Sequence, residues 1–249
     1  MKLSDYIGLK KKDILSIVGA GGKTTMIFKL AEELRANNKI LVTTTTKIYI
    51  PLVHQYDYIC TSKDHFIKYS RMKDNGIYVL GLGINEDNKI LGLTTKELEE
   101  LTPYFDYILI EADGAKKKQL KGWNEFAPVI YGKTTKTLGI IDIQSKGLLI
   151  NEDNIHRSEI FKEITGAKDG ETVTIEHLSN LVINPRGLFK SALGEKILFI
   201  NKIERSVDFE LANLLVNEIT SKGNNLISVA VIGSLKTNIY YNKSEDVFL

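Results

Sequence analysis

Residues Gly19-Ala20-Gly21-Gly22-Lys23-Thr24-Thr25 bring three glycines, a lysine and two hydroxyls into one short run. Such a set can hold a chain of phosphates. Glycine permits positive φ and leaves no Cβ between the backbone amides and an approaching phosphate oxygen. Lys23 would bridge the terminal phosphates, and the Thr24 hydroxyl would ligate Mg²⁺. In the usual spacing, G-x-x-x-x-G-K-[ST], the first glycine would fall at Ile17. This chain has instead the shorter G-x-x-G-K-T-T, led by Gly19. Residues Gly19 to Thr25 are therefore the expected phosphate contacts of a nucleoside triphosphate.

Other reactive side chains follow apolar runs. Glu111-Ala112-Asp113-Gly114 closes one such run, and either carboxylate would hold Mg²⁺ opposite Thr24 or orient an attacking water. The threonine run 43–46 ends in Lys47; a hydroxyl such as that of Thr45 could reach Mg²⁺ or the γ-phosphate, and Lys47 could meet a phosphate or an anionic substrate. Asn201-Lys202-Ile203-Glu204 is similar to the Asn-Lys-x-Asp of guanine-binding proteins, with a glutamate one methylene longer at the fourth position. Base recognition is expected there, leaning to guanine over adenine; losing such a bidentate contact costs about 2–3 kcal/mol. Lys116-Lys117-Lys118 with Lys121 reads as a solvated face or as an electropositive rim. Arg157 is a candidate charge-stabilising arginine, and Arg186 is a second one. Trp123 is expected to pack its loop or offer a contact surface, and Cys60 to be a small core residue.

These groups need a frame that gathers strand ends. The run 14–18 reads as a strand and 26–34 as a helix on either side of the glycine turn. Further strands are expected at 39–43, 76–81, 107–111, 138–142, 196–201 and 226–231, with a turn at 85–88 returning a hairpin through 89–91. Helices are expected at 64–71, at 94–101 behind a Thr-Thr-Lys-Glu capping box, and at 208–222. Strands buried on both faces and separated by helices predict an α/β fold: a mostly parallel sheet with helices on both faces. Ligands collect at the carboxyl ends of such strands. One domain, 1–249, is expected, with the helical stretch 157–193 an insertion within it or a cap over the site.

Composition excludes several function classes. The 249 residues are 43% hydrophobic and carry a net charge of +2, so no global field drives the chain onto nucleic acid or membrane. A chain of this length buries roughly 70–75% of its unfolded surface and needs no disulfide or metal staple. No apolar run reaches the ~20 residues of a membrane span, and no signal-peptide core follows the first residues, so a cytoplasmic address is expected. The four histidines form no Cys/His cluster, which argues against structural zinc.

Taken together, Val-Gly-Ala-Gly-Gly-Lys-Thr-Thr at 18–25, Val-Thr-Thr-Thr-Thr-Lys at 42–47 and Glu-Ala-Asp-Gly-Ala-Lys at 111–116 resemble the YqeC family. So do His156-Arg157 and Asn201-Lys202. The family is described as selenium-dependent hydroxylase accessory, or selenium cofactor biosynthesis, proteins. The resemblance implies a P-loop NTPase-like fold and a role in maturing molybdenum hydroxylases that carry labile selenium, with such a hydroxylase or another maturation protein as partner. The expected activity is Mg²⁺-dependent NTP hydrolysis or phosphoryl transfer. The short glycine turn also resembles that of Mur-type ligases, which implies a ligase or kinase acting on a small anionic substrate. A nucleotide-dependent binding switch without turnover is the third reading.

Overall fold

The computed structural model describes residues 1–222 and 226–242. Its first half contains α1 (Leu3–Tyr6), β1 (Ile14–Gly19), α2 (Lys23–Leu34), β2 (Lys39–Thr44), β3 (Lys47–Tyr49) and β4 (Tyr58–Cys60). There follow α3 (Phe66–Arg71), β5 (Gly76–Leu80), β6 (Lys89–Leu91), α4 (Thr95–Leu101), β7 (Tyr107–Glu111), β8 (Leu120–Lys121) and β9 (Lys136–Asp142). The remainder is β10 (Ile155–His156), α5 (Ser158–Thr165), α6 (Ile175–Ile183), β11 (Glu195–Asn201), α7 (Ser206–Ser221), β12 (Val229–Ser234) and β13 (Ile239–Asn242).

Nine of these strands form one sheet in the order β13-β12-β11-β9-β1-β7-β2-β5-β4. Every neighbouring pair is parallel except β12 with β13. The α/β class is thus the observed one, in an arrangement consistent with a P-loop-like fold. Strand β1 lies at the centre, and β7 is inserted between it and β2.

Side-chain alternation along each strand divides the core by face. Leu15 and Ile17 of β1, Leu109 of β7, Ile140 of β9 and Phe199 of β11 pack with Met26, Ile27 and Leu30 of α2 on one face. On the other face, Ile141, Leu198 and Ile200 meet Phe161 of α5, Leu181 of α6 and Leu215 of α7. Nearer the β4 edge that face is filled by Tyr78, Leu80, Ile108 and Ile110 against Phe66, Leu98 and Leu101. Helices α5 and α6, from the stretch 157–193, therefore pack their apolar sides into the layer they share with α7.

Some boundaries move from the sequence reading, each for a pairing reason. The turn at 85–88 forms, with the Asn85 N–H donating to the Lys89 carbonyl at 2.9 Å, but β6 also pairs antiparallel with β3. The last parallel strand begins at Val229 rather than at 226, because its register is set by Val229 against Ile197 of β11. The capping box at the start of α4 is present, with the Thr94 N–H donating to Glu97 Oε2 at 3.1 Å. Among the described residues no helix is long and apolar enough to cross a membrane.

Candidate functional site

Parallel pairing brings the ends of β2, β7, β1, β9 and β11 to one edge of the sheet. Thr44 stands opposite Glu111, and Asn201 opposite Asp142. The glycine turn crosses this edge and runs into α2, whose first residue is Lys23. Close approach requires its glycines. Gly19 has φ 101°, and a Cβ there would lie 2.3 Å from the Ile140 carbonyl oxygen. Gly21 has φ 82°, and its Cβ would fall 2.5 Å from Cβ of Asp142.

Lys23 is held on two sides. Its Nζ donates to the Gly19 carbonyl at 2.7 Å and lies 3.2 Å from Oδ1 of Asp113. Asp113 is fully buried. Its Oδ2 accepts hydrogen bonds from the Gly19 N–H at 3.2 Å, Lys121 Nζ at 3.0 Å and Trp123 Nε1 at 2.7 Å. Oδ1 makes its contact with Lys23 by charge, outside hydrogen-bond angles. Burial would raise this carboxyl, but the charges of Lys23 and Lys121 with the Lys121 and Trp123 hydrogen bonds hold it below the ordinary range. Burial pushes Lys121 down to about 8, against the pull of Asp113.

Beside this knot, the Thr24 hydroxyl donates to Oε2 of Glu111 at 2.8 Å. Burial raises the Glu111 carboxyl, opposed by the Lys23 charge and the Thr24 hydrogen bond. Two hard oxygen donors thus stand together at the first turn of α2, a donor set suited to Mg²⁺. The Thr44 hydroxyl supports it from β2 by donating to the Glu111 carbonyl at 2.7 Å.

On the other side of the turn, Asn201 acts as a brace. Its Nδ2 donates to the Gly21 carbonyl at 2.7 Å, and its Oδ1 accepts from the Leu235 N–H at 3.1 Å. Lys202, at φ 69°, pairs with the fully buried Asp142, whose carboxyl burial raises against the Lys202 hydrogen bond and charge. Glu204 pairs with Lys236 at 3.1 Å.

Most of these groups border one cleft of about 870 Å³. Gly21, Gly22, Lys23, Thr24, Thr25 and Glu111 line its middle. Asn201, Lys202 and Glu204 line one end, and Lys47 and Arg157 the other. Gly19 and Ala20 lie beneath the cleft as the base of the turn, where the Ala20 N–H donates to Ile140 at 3.3 Å. Thr45 turns away and donates to the Val129 carbonyl at 2.7 Å; Thr46 lines the cleft instead. Asp113, expected among the metal ligands, is enclosed by its three donors and Lys23 and does not reach the cleft surface; it anchors Lys23. Arg186 pairs with Glu163 on the surface at 2.9 Å, away from the cleft. Among the described residues no three His, Cys, Asp or Glu side chains cluster as a metal site.

Trp123 packs its loop as expected, but three roles escaped the sequence reading: those of Trp123 and Lys121 at Asp113, and that of Asp142. Trp123 is a buried donor to Asp113, and Lys121 is buried with it. A buried indole N–H needs an acceptor, and the acids close by in sequence were the signal available for Trp123. Asp142 ends β9 as Glu111 ends β7, so the strand-end argument applied to it equally.

Comparison with known proteins meets this geometry at its densest part. The sequence model of the family described as YqeC protein matches residues 15–159. Uncharacterized protein YqeC of Escherichia coli (strain K12) is 30% identical over 201 residues, covering 79% of this chain and 78% of that protein. The chain belongs to the YqeC family. The family match spans the glycine turn, Glu111, Asp113, Lys121 and His156-Arg157; the Asn201 brace lies beyond its end. No solved structure matches the chain.

Proposed function

We propose that this YqeC-family protein binds a nucleoside triphosphate with Mg²⁺ in the cleft and transfers or hydrolyses its terminal phosphoryl group. The observation that carries the reading is Lys23, a buried cation held by Gly19 and Asp113 at the N-terminus of α2, beside the Thr24–Glu111 pair. A helix N-terminus, a glycine turn and a fixed cation together favour a phosphate chain. Thr24 and Glu111 would hold Mg²⁺, which when bound neutralises charge on the phosphate oxygens. Lys23 then stays in register because Asp113 holds it, and the chain's own contribution is positioning and electrostatic stabilisation. The Asn201–Glu204 end would take the base, where the Glu204 carboxylate and Lys202 stem suit guanine; ATP and GTP are the two candidates.

Family membership supports an accessory role. The finer reading is maturation of selenium-dependent molybdenum hydroxylases, with phosphate release driving or timing the step. A phosphate-release assay with ATP and with GTP tests both parts. We expect release that needs Mg²⁺, falls at least 100-fold in Lys23→Ala, and rises when a purified selenium-dependent molybdenum hydroxylase is added. Release that is unchanged in Lys23→Ala would exclude this cleft as the nucleotide site. A second reading, phosphoryl transfer to a small acid, draws on the surplus of cations at the Arg157 end; release stimulated by a small acid rather than by the hydroxylase favours it.

A further inference from the structure

The cleft carries far more positive charge than a triphosphate with Mg²⁺ requires. Ten lysine and arginine side chains line it against two carboxylates, Glu111 and Glu204, while the whole chain carries only +2. At the nucleotide end the cations are matched: Lys23 by Asp113, Lys202 by Asp142 and Lys236 by Glu204. At the far end, among the described residues, only Lys89, beside Asp87 at 3.6 Å, and Lys121, beside Asp113, have a carboxylate partner. Among the described residues Lys47, Lys116, Lys117 and Arg157 form no ion pair.

Arg157 is the sharpest case. Its Nη1 is buried and has no hydrogen-bond partner, which is costly for a guanidinium. Its backbone is left-handed at φ 60°, as are those of Lys116 at 47° and Lys117 at 62°. Non-glycine residues hold this conformation at a cost, and such strain gathers where a ligand uses the side chain. The parallel pairing of β10 with β8 sets His156 beside Lys121 and so fixes Arg157 at the cleft wall. An aromatic surface stands at the same end. The half-exposed Tyr49 ring carries Lys89 and Lys117 at 4.9 and 4.7 Å from its centre, and exposed Phe126 lines the rim.

We infer that the cleft takes two ligands at once: the nucleotide and, beyond its terminal phosphate, a small aromatic or planar substrate bearing a phosphate or similar oxyanion. Arg157 and Lys116 hold the oxyanion, and exposed Phe126 offers a face for the ring. A volume of about 870 Å³ lies at the upper end of the ~300–1,000 Å³ typical of a ligand site. The inference rests on the nucleotide reading for the middle of the cleft only.

The test is calorimetric titration of the full chain with phenyl phosphate, with inorganic phosphate and phenol as controls. It is run with and without Mg²⁺ and a non-hydrolysable triphosphate, on wild type, Arg157→Gln, Lys116→Gln and Lys23→Ala. Expected is one equivalent of phenyl phosphate bound with nucleotide present, at least tenfold weaker in Arg157→Gln and in Lys116→Gln, and retained in Lys23→Ala. Inorganic phosphate should bind more weakly, and phenol not at all. Phenyl phosphate that competes with the triphosphate, is lost in Lys23→Ala, or ignores both far-end substitutions overturns the second site. If the triphosphate itself does not bind while phenyl phosphate still depends on Arg157 and not on Lys23, the nucleotide reading fails and the anion site stands.

Discussion

Asp113 balances two buried cations, and its neighbours show how the chain keeps charge in its interior. Lys23 and Lys121 are both almost fully enclosed and share this one carboxylate. Removing one member of a buried charged set leaves the others unneutralised, at a cost of about 3–5 kcal/mol. Asp113→Asn should therefore lose that much in urea unfolding and release Lys23 from its position. His156 gives a pH prediction at the same scale. Burial, with the charges of Arg157, Lys121 and Lys116, pushes it down to about 4 from 6.5, against Glu152. Its folded value lies below its unfolded one, so the unfolded chain takes up the proton first. The stability gained from neutral His156 is complete above pH 6.5 and is lost as the pH falls toward 4. For a partly buried ring we set this at about 1–2 kcal/mol after solvent screening. His156→Gln should lose less stability than wild type between those two values, measured by urea unfolding at each pH. What sequence could show here was residue type: Lys23 as a cation, and Thr24 and Glu111 as oxygen donors that the structure brings together. It could not show that Asp113 would be closed off by Trp123 and Lys121, since that depends on how the loop after β7 folds back.

Strand–turn–helix was the most legible element, because glycine position, strand apolarity and helix periodicity agree within one stretch of chain. The price of the tight turn is intolerance: Gly19→Ala forces a Cβ against the Ile140 backbone in a left-handed conformation and should cost at least about 2 kcal/mol. Asn201 links that turn to the ends of β11 and β12. Asn201→Ala removes two hydrogen bonds in a buried place and should destabilise by about 2–3 kcal/mol, with weaker nucleotide binding in the same preparation. The sequence suggested Asn201 as a base reader; its bonds make it first a brace. The two-residue strands β8 and β10 were invisible to periodicity, being too short for any repeat to emerge. Strand β13 was missed as an antiparallel edge, since its pairing partner β12 defines it.

Across the whole molecule, alternation of apolar runs and amphipathic stretches gave the α/β class, while strand order stayed hidden. That β7 lies between β1 and β2 is a choice among chain crossings that leaves no mark on local pattern. Yet this order is what sets Glu111 beside Thr24. It also means that a ligand in the cleft touches the ends of several strands at once. A nucleotide present at 100 times its dissociation constant should stabilise the fold by about 2.7 kcal/mol, read as a rise in unfolding midpoint with MgATP or MgGTP. The most direct measurement is calorimetric titration of the full chain with each nucleotide and Mg²⁺, beside Lys23→Ala. The account predicts one equivalent bound by wild type and none by the variant. Equal binding by both, or no binding of either nucleotide to wild type, would contradict it.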